Sequence, residues 1–235
     1  MGKRPLATVA GFTLIELAVV LAVVGLLVWT VSSGYLNLGS VRDRQAAVRH
    51  GAEVRDAIRA FALANARLPC PDTSGDGRAG DCSGNRTQTG RVPYETLHMG
   101  VPEDARRAFY GVYRNGDADA DLAVAGDRSG NGRLDTTDLI IGLGNAADTP
   151  VSTDEIFLTG DDGTQGTIDC AGNAVRNVAF FLVVPLTDRD GDGGRFDSVH
   201  TGPCAYAPGT GATRNRDDVV TAEGFASLAG WLNAR

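Results

Sequence analysis

From Phe12 to Val31 the chain is apolar almost without interruption, with Leu, Ile or Val at twelve positions between Leu14 and Val31 and Glu16 as the single charge. As a helix, residues 12–31 would measure about 30 Å, the thickness of a bilayer's hydrocarbon core. The aliphatic side chains contribute roughly −4 to −7 kcal/mol to insertion, against about 2.5 to 3.5 kcal/mol for one carboxylate at mid-membrane. Insertion wins, and residues 12–33 are assigned to a single membrane-spanning helix behind a short segment, residues 1–11, carrying Lys3 and Arg4. A lone acid such as Glu16 persists in that setting only if it finds a partner, which makes it a functional residue by default. An ordinary secretory signal cut after Ser33 would need a shorter apolar core. An uncut anchor explains the run but not Glu16.

Beyond Gly34 the period changes. Ala47, Val54, Ile58, Phe61 and Leu68 recur at sevens, fours and threes and form one stripe, with Arg55, Asp56 and Arg59 off it. The spacing predicts a helix over Tyr35 to Leu68 that packs on the protein's own head. Pro69 and Pro71 end it. Ala108–Arg114 and Arg176–Leu186 read as strands, with Pro185 at a strand end. Leu122–Ala125 and Asp217–Val220 are weaker strands. Phe225, Leu228, Ala229 and Leu232 fit a short C-terminal helix with Thr221 as a candidate cap. The fold class is α+β: a long N-terminal helix, a sheet, and long Gly- and Asp-rich loops, with residues 34–235 as one head.

Composition sharpens this. The 235 residues carry 22 basic and 29 acidic side chains, a formal charge of −7, and loss of Lys3 and Arg4 would move it to −9. Arginines are interspersed with aspartates, so the concentrated positive surface that nucleic acid requires is missing. Arg42, Arg44 and Arg49 lie beyond the span, so flanking charge orients it weakly. Cys70, Cys82, Cys170 and Cys204, in a head delivered outside the cytoplasm, predict two disulfides. Sequential pairing, Cys70 with Cys82 and Cys170 with Cys204, is the expectation; two other pairings are open.

The leader with Lys3 and Arg4, then Gly11, then Phe12-Thr13-Leu14-Ile15-Glu16-Leu17, resembles the prepilin signal of type IV pilins and type II secretion pseudopilins. The resemblance implies cleavage after Gly11 by prepilin peptidase and methylation of the new amine on Phe12. It also implies an assembly role for Glu16, whose carboxylate would meet the N-terminal amine of a neighbouring subunit, and a pilin-like head held by one pass in the inner membrane, facing the periplasm and later the filament or cell surface. Leu68-Pro69-Cys70-Pro71-Asp72, with Cys82 and Val92-Pro93-Tyr94-Glu95-Thr96-Leu97, is similar to a subgroup of prepilin-like proteins. Asp104-Ala105-Arg106-Arg107 departs from that subgroup.

The loops carry the remaining chemistry. From Asp127, oxygen-bearing side chains fall at positions one, three, five, nine and twelve: Asp127, Ser129, Asn131, Asp135 and Asp138. Gly132 sits at six, Arg133 offers a carbonyl at seven and Leu134 at eight can point into the head. This resembles the calcium loop of EF-hand and dockerin modules, with Leu139-Ile140-Ile141 starting an exiting helix and no clear entering one. Asp188, Asp190, Asp192 and Asp197 form a second candidate calcium loop, because alternating carboxylates repel one another without a cation. Asp72-Thr-Ser74-Gly-Asp76-Gly77 opens the same way but lacks a closing acid and reads as a turn. Asp117, Asp119 and Asp121 read as a solvated edge. Hard oxygen ligands and few histidines point to calcium rather than zinc or iron.

Catalysis finds little support. His50, on the exposed side of the long helix, His98 and His200 are scattered, and there is no nucleophile elbow, phosphate loop or paired zinc ligands. The expectation is a non-enzymatic minor pilin or minor pseudopilin whose partners are other filament subunits. The alternatives are a calcium-dependent adhesive tip module and a membrane-anchored hydrolase using loop carboxylates.

Overall fold

The computed structural model describes residues 13–84, 86–159, 170, 174–189, 191, 193–197, 200, 202–212 and 216–235, without the side chains of residues 30–38 and 105. The fold is α+β. Helix α1 runs from Leu14 to Asn65, and the chain divides into two compact units, Met1–Asp43 and Arg44–Arg235.

In the first unit every residue from Thr13 to Trp29 is exposed, Leu14 at 88% and Trp29 at 72%. Among the described residues no helix is long and apolar enough to cross a membrane. The span expected over 12–33 includes Phe12 and the side chains of residues 30–33, which lie outside the description. The helix begins with a reciprocal cap. The Glu16 carboxylate accepts from the Thr13 backbone N–H at 2.9 Å and hydroxyl at 3.0 Å, and the Thr13 hydroxyl accepts from the Glu16 N–H at 3.4 Å. Thr-x-x-Glu is the sequence form of this capping box.

In the second unit Ala47, Val54 and Ile58 of the expected stripe are in the core and Phe61 packs at its margin, Leu68 is buried beyond the end of the helix, and Ala62, off the expected stripe, is buried as well. Gly51 belongs to the same face; a Cβ there would lie 2.8 Å from the Thr221 hydroxyl, so glycine permits the helix to approach the sheet closely. Arg59 joins three elements, pairing with buried Glu223 at 2.7 Å and stacking 5.5 Å over Trp231. The helix ends at Asn65, three residues before Leu68. Ala66 turns it with φ at +53°, and the Leu68 N–H donates to the Leu122 carbonyl at 2.7 Å.

The main sheet has the order β1 (Thr89–Arg91), β2 (Phe109–Val112), β5 (Phe180–Val184), β7 (Val219–Glu223), antiparallel throughout. All five residues of β5 are buried, as a central strand requires. A smaller sheet orders β4 (Ala174–Asn177), β3 (Phe157–Thr159) and β6 (Cys204–Tyr206), with β3 and β6 parallel. The strand expected over Arg176–Leu186 is therefore two strands in different sheets, broken at Val178 and Ala179, and Pro185 falls just past the end of β5. Leu122–Ala125 is not a strand, although Leu122 is buried. Helix α2 spans Thr136–Asp148, and α3 spans Phe225–Asn233 with Gly224 at its N-cap; Thr221, the expected cap, lies inside β7.

Two disulfides, Cys70–Cys82 and Cys170–Cys204, follow the sequential pairing. The second ties β6 to the segment before β4. A buried ion pair, Arg114 with Asp121 at 2.8 Å, corrects the reading of Asp121 as a solvated edge; Arg114 also donates to the Cys82 carbonyl at 2.7 Å. Aspartates 117 and 119 are exposed as expected.

Candidate functional site: acidic loops and a buried carboxylate cluster

One turn geometry occurs three times in the head. Each copy opens with an aspartate followed by glycines at positions four and six: Asp72 with Gly75 and Gly77, Asp127 with Gly130 and Gly132, Asp188 with Gly191 and Gly193. All six glycines have φ between +70° and +89°. This left-handed backbone, open to glycine without steric cost, turns successive N–H groups toward one carboxylate. The sixth-position N–H donates to the leading aspartate at 2.8, 2.8 and 3.0 Å respectively. The repeat is local; the surroundings differ.

Asp72 is buried, accepts from Ser74, Gly75 and Gly77, and sits where the backbone pairs with Arg91. Its carboxylate is satisfied by the turn, in agreement with the turn reading. The Asp188 copy is exposed, and Asp190 and Asp192 lie outside the described residues.

The Asp127 copy leads into α2. Asp135 is the N-cap, accepting from the Thr137 N–H at 2.8 Å, and Asp138 at the third helical position reaches back to the Asp135 N–H at 3.0 Å. Its other oxygen accepts from the Ser129 N–H at 2.8 Å, so the twelfth position closes onto the third. These backbone donors hold both carboxyls below the ordinary range, Asp135 chiefly through Thr137 and Asp138 chiefly through Asp135 and then Ser129. Asn131 bonds Asp135 at 3.3 Å, and Arg128 clamps the loop's start by donating to the Asp119 and Ala118 carbonyls at 2.9 Å. The exiting helix is present, starting three residues before Leu139. Leu134, expected to point into the head, is 60% exposed. Arg133 is exposed, its N–H donating to the Asn131 side chain.

Asp197 leaves the Asp188 turn for a different company. Among the described residues, one set of acidic, His or Cys side chains places three ligand atoms within 4.8 Å of one another: Asp197, Asp217 and Asp218, all buried. The last two precede β7. Asp197 accepts from the Asp217 N–H at 2.7 Å, and the Asp197 N–H donates to Asp218 at 3.0 Å. Asp217 takes Arg189 at 2.8 Å and the Thr187 hydroxyl, while Asp218 takes His200 Nδ1 at 2.9 Å. Burial, then the nearby Asp218 charge, pushes the Asp197 carboxyl up. Asp217, Asp218 and His200 were missed as site residues. The adjacent acid pair at the start of an apolar strand was the available signal, since acids entering a buried strand need partners.

His50 is half-buried rather than exposed. It stacks on Tyr94 with centroids 5.8 Å apart and bonds its hydroxyl at 2.9 Å, and the same hydroxyl accepts from the Ala108 N–H at 3.0 Å. Burial pushes the His50 pKa down. Gly11 and Phe12 lie outside the described residues, and Glu16 is engaged by Thr13. No protein-family model, curated protein or solved structure matches the chain.

Proposed function

We propose that this chain is a non-enzymatic minor subunit of a type IV pilus-like or type II secretion filament, cut after Gly11 by prepilin peptidase and methylated on Phe12. The observation that carries the reading is the Gly11–Leu17 sequence running directly into a helix whose apolar side chains, Leu14 to Trp29, are exposed. A contiguous apolar surface of that size calls for lipid or protein cover. The inner membrane supplies it before assembly, and the same segment of other subunits supplies it in the filament. A helix that ends on an antiparallel sheet, with the head closed by two disulfides, fits delivery to the periplasm. Calcium is the cofactor proposed for the Asp127–Asp138 loop, whose oxygens and glycine fall at the spacing such loops use.

Intact mass and N-terminal sequencing of the protein from its host's membranes test the reading. A chain beginning at N-methylated Phe12 is expected; one beginning at Met1 or after Ser33 discards it. Glu16→Ala should be processed normally and fail to enter filaments. Because Glu16 also caps its own helix, Glu16→Gln, which keeps an acceptor oxygen but not the charge, separates the two roles. Loss of incorporation in both variants assigns the effect to the charge.

A further inference from the structure

We propose that Asp197, Asp217 and Asp218 form a hard divalent-cation site, of calcium type, inside the head and separate from the Asp127–Asp138 loop.

Three carboxylates with ligand atoms within 4.8 Å of one another, each less than a tenth exposed, meet inside the head; of the nearby arginines, Arg44 donates to the Asp217 backbone carbonyl and Arg216 lies over the Tyr206 ring, and neither pairs with a carboxylate of the cluster. Arg189 serves Asp217 from the surface, and His200 serves Asp218. Asp197 has no cationic partner among the described residues. One of its oxygens, Oδ2, accepts from the Asp217 and Asp218 backbone, but Oδ1 is fully buried and makes no hydrogen bond. A buried carboxylate oxygen without a donor is rare, because desolvation is not repaid. An orphaned oxygen beside two further carboxylates is the arrangement that a cation completes.

The donor set decides which cation. All three side chains offer hard oxygen, which suits calcium or magnesium over zinc or copper. His200 holds Asp218 through Nδ1, the way an outer partner orients a ligating carboxylate. Calcium's tolerance of irregular geometry, with water in the remaining positions, suits three carboxylates drawn from two separated segments better than the strict octahedron of magnesium. The site would tie the segment before His200 to the start of β7, the edge strand of the main sheet.

The competing arrangement is one proton shared among the carboxylates, and the two differ in sign. The full-length chain in detergent is titrated with calcium, with terbium luminescence as a second readout. A variant disabled in the other loop, Asp127→Asn with Asp135→Asn, should still bind one calcium per chain; binding none overturns the proposal. Asp197→Asn should weaken that remaining site at least tenfold and abolish its calcium-dependent rise in Tm, whereas Asp188→Asn should leave both within twofold. An Asp197→Asn protein that is more stable without calcium and keeps the full calcium response indicates proton sharing and overturns it. Should Asp197→Asn fail to fold, amide exchange in the disabled-loop variant decides. Calcium is expected to slow exchange of the Asp217 and Asp218 N–H groups at least tenfold, and unchanged rates there overturn the site.

Discussion

The two ends of α1 are both rich in aliphatic side chains, yet among the described residues only one of them buries those side chains. From Ala47 to Ala62 the apolar residues keep to one face and are buried by the head, while from Leu14 to Trp29 they surround the helix and are exposed. A stripe implies one apolar partner and a polar solvent; an all-round apolar surface implies that the surroundings are themselves apolar. The lesson is that periodicity, more than hydrophobicity, says whether a helix completes itself within its chain.

The contrast can be broken most forcefully at Ile58, which is fully buried. Ile58→Ala should cost the head about 2–5 kcal/mol, read as a fall in the denaturation midpoint of the full chain. A loss well under 1 kcal/mol would mean that the stripe does not hold the helix to the sheet. A smaller effect is expected from acid. The folded-state pKa of His50 lies below 6.5, so the native head resists its protonation. Its stabilising contribution is complete above about pH 6.5 and is lost as pH falls through 6.5 toward the folded value. His50→Gln, which keeps an acceptor for the Tyr94 hydroxyl, should flatten the fall in stability as pH drops below about 6.5; an unchanged profile would place the acid sensitivity elsewhere. The smallest effect is expected at Leu21. Leu21→Ala should move head stability by no more than about 0.5 kcal/mol, and a larger fall would show that the exposed half has a partner within the chain.

The buried half of α1 was legible because 47, 54 and 58 repeat over several turns, long enough for a period to stand out. Strands β1, β3 and β6 have three residues each, too few for alternation to register. Helix α2 was hidden beyond its first turn by Gly142 and Gly144, poor helix formers that tertiary packing and the Asp135–Asp138 cap overrule. The Asp127 loop could be read because its oxygens are neighbours in sequence. The Asp197 cluster could not, since its members meet only when the segment after β5 folds against the start of β7. Of the loop expected over Asp188, Asp190, Asp192 and Asp197, Asp188 accepts from its own turn and Asp197 meets Asp217 and Asp218, while Asp190 and Asp192 lie outside the described residues.

The pairing of β2 with β5 brings Val112 opposite Phe180, across the whole of α2, β3 and β4. A helix turn forms on the microsecond scale or faster, whereas sheets assembled from distant segments form in milliseconds to seconds. On those timescales the stripe on α1 is expected to form before the surface that covers it. The newly made head would then pass through an interval in which Val54, Ile58 and Ala62 are open to any other apolar surface nearby.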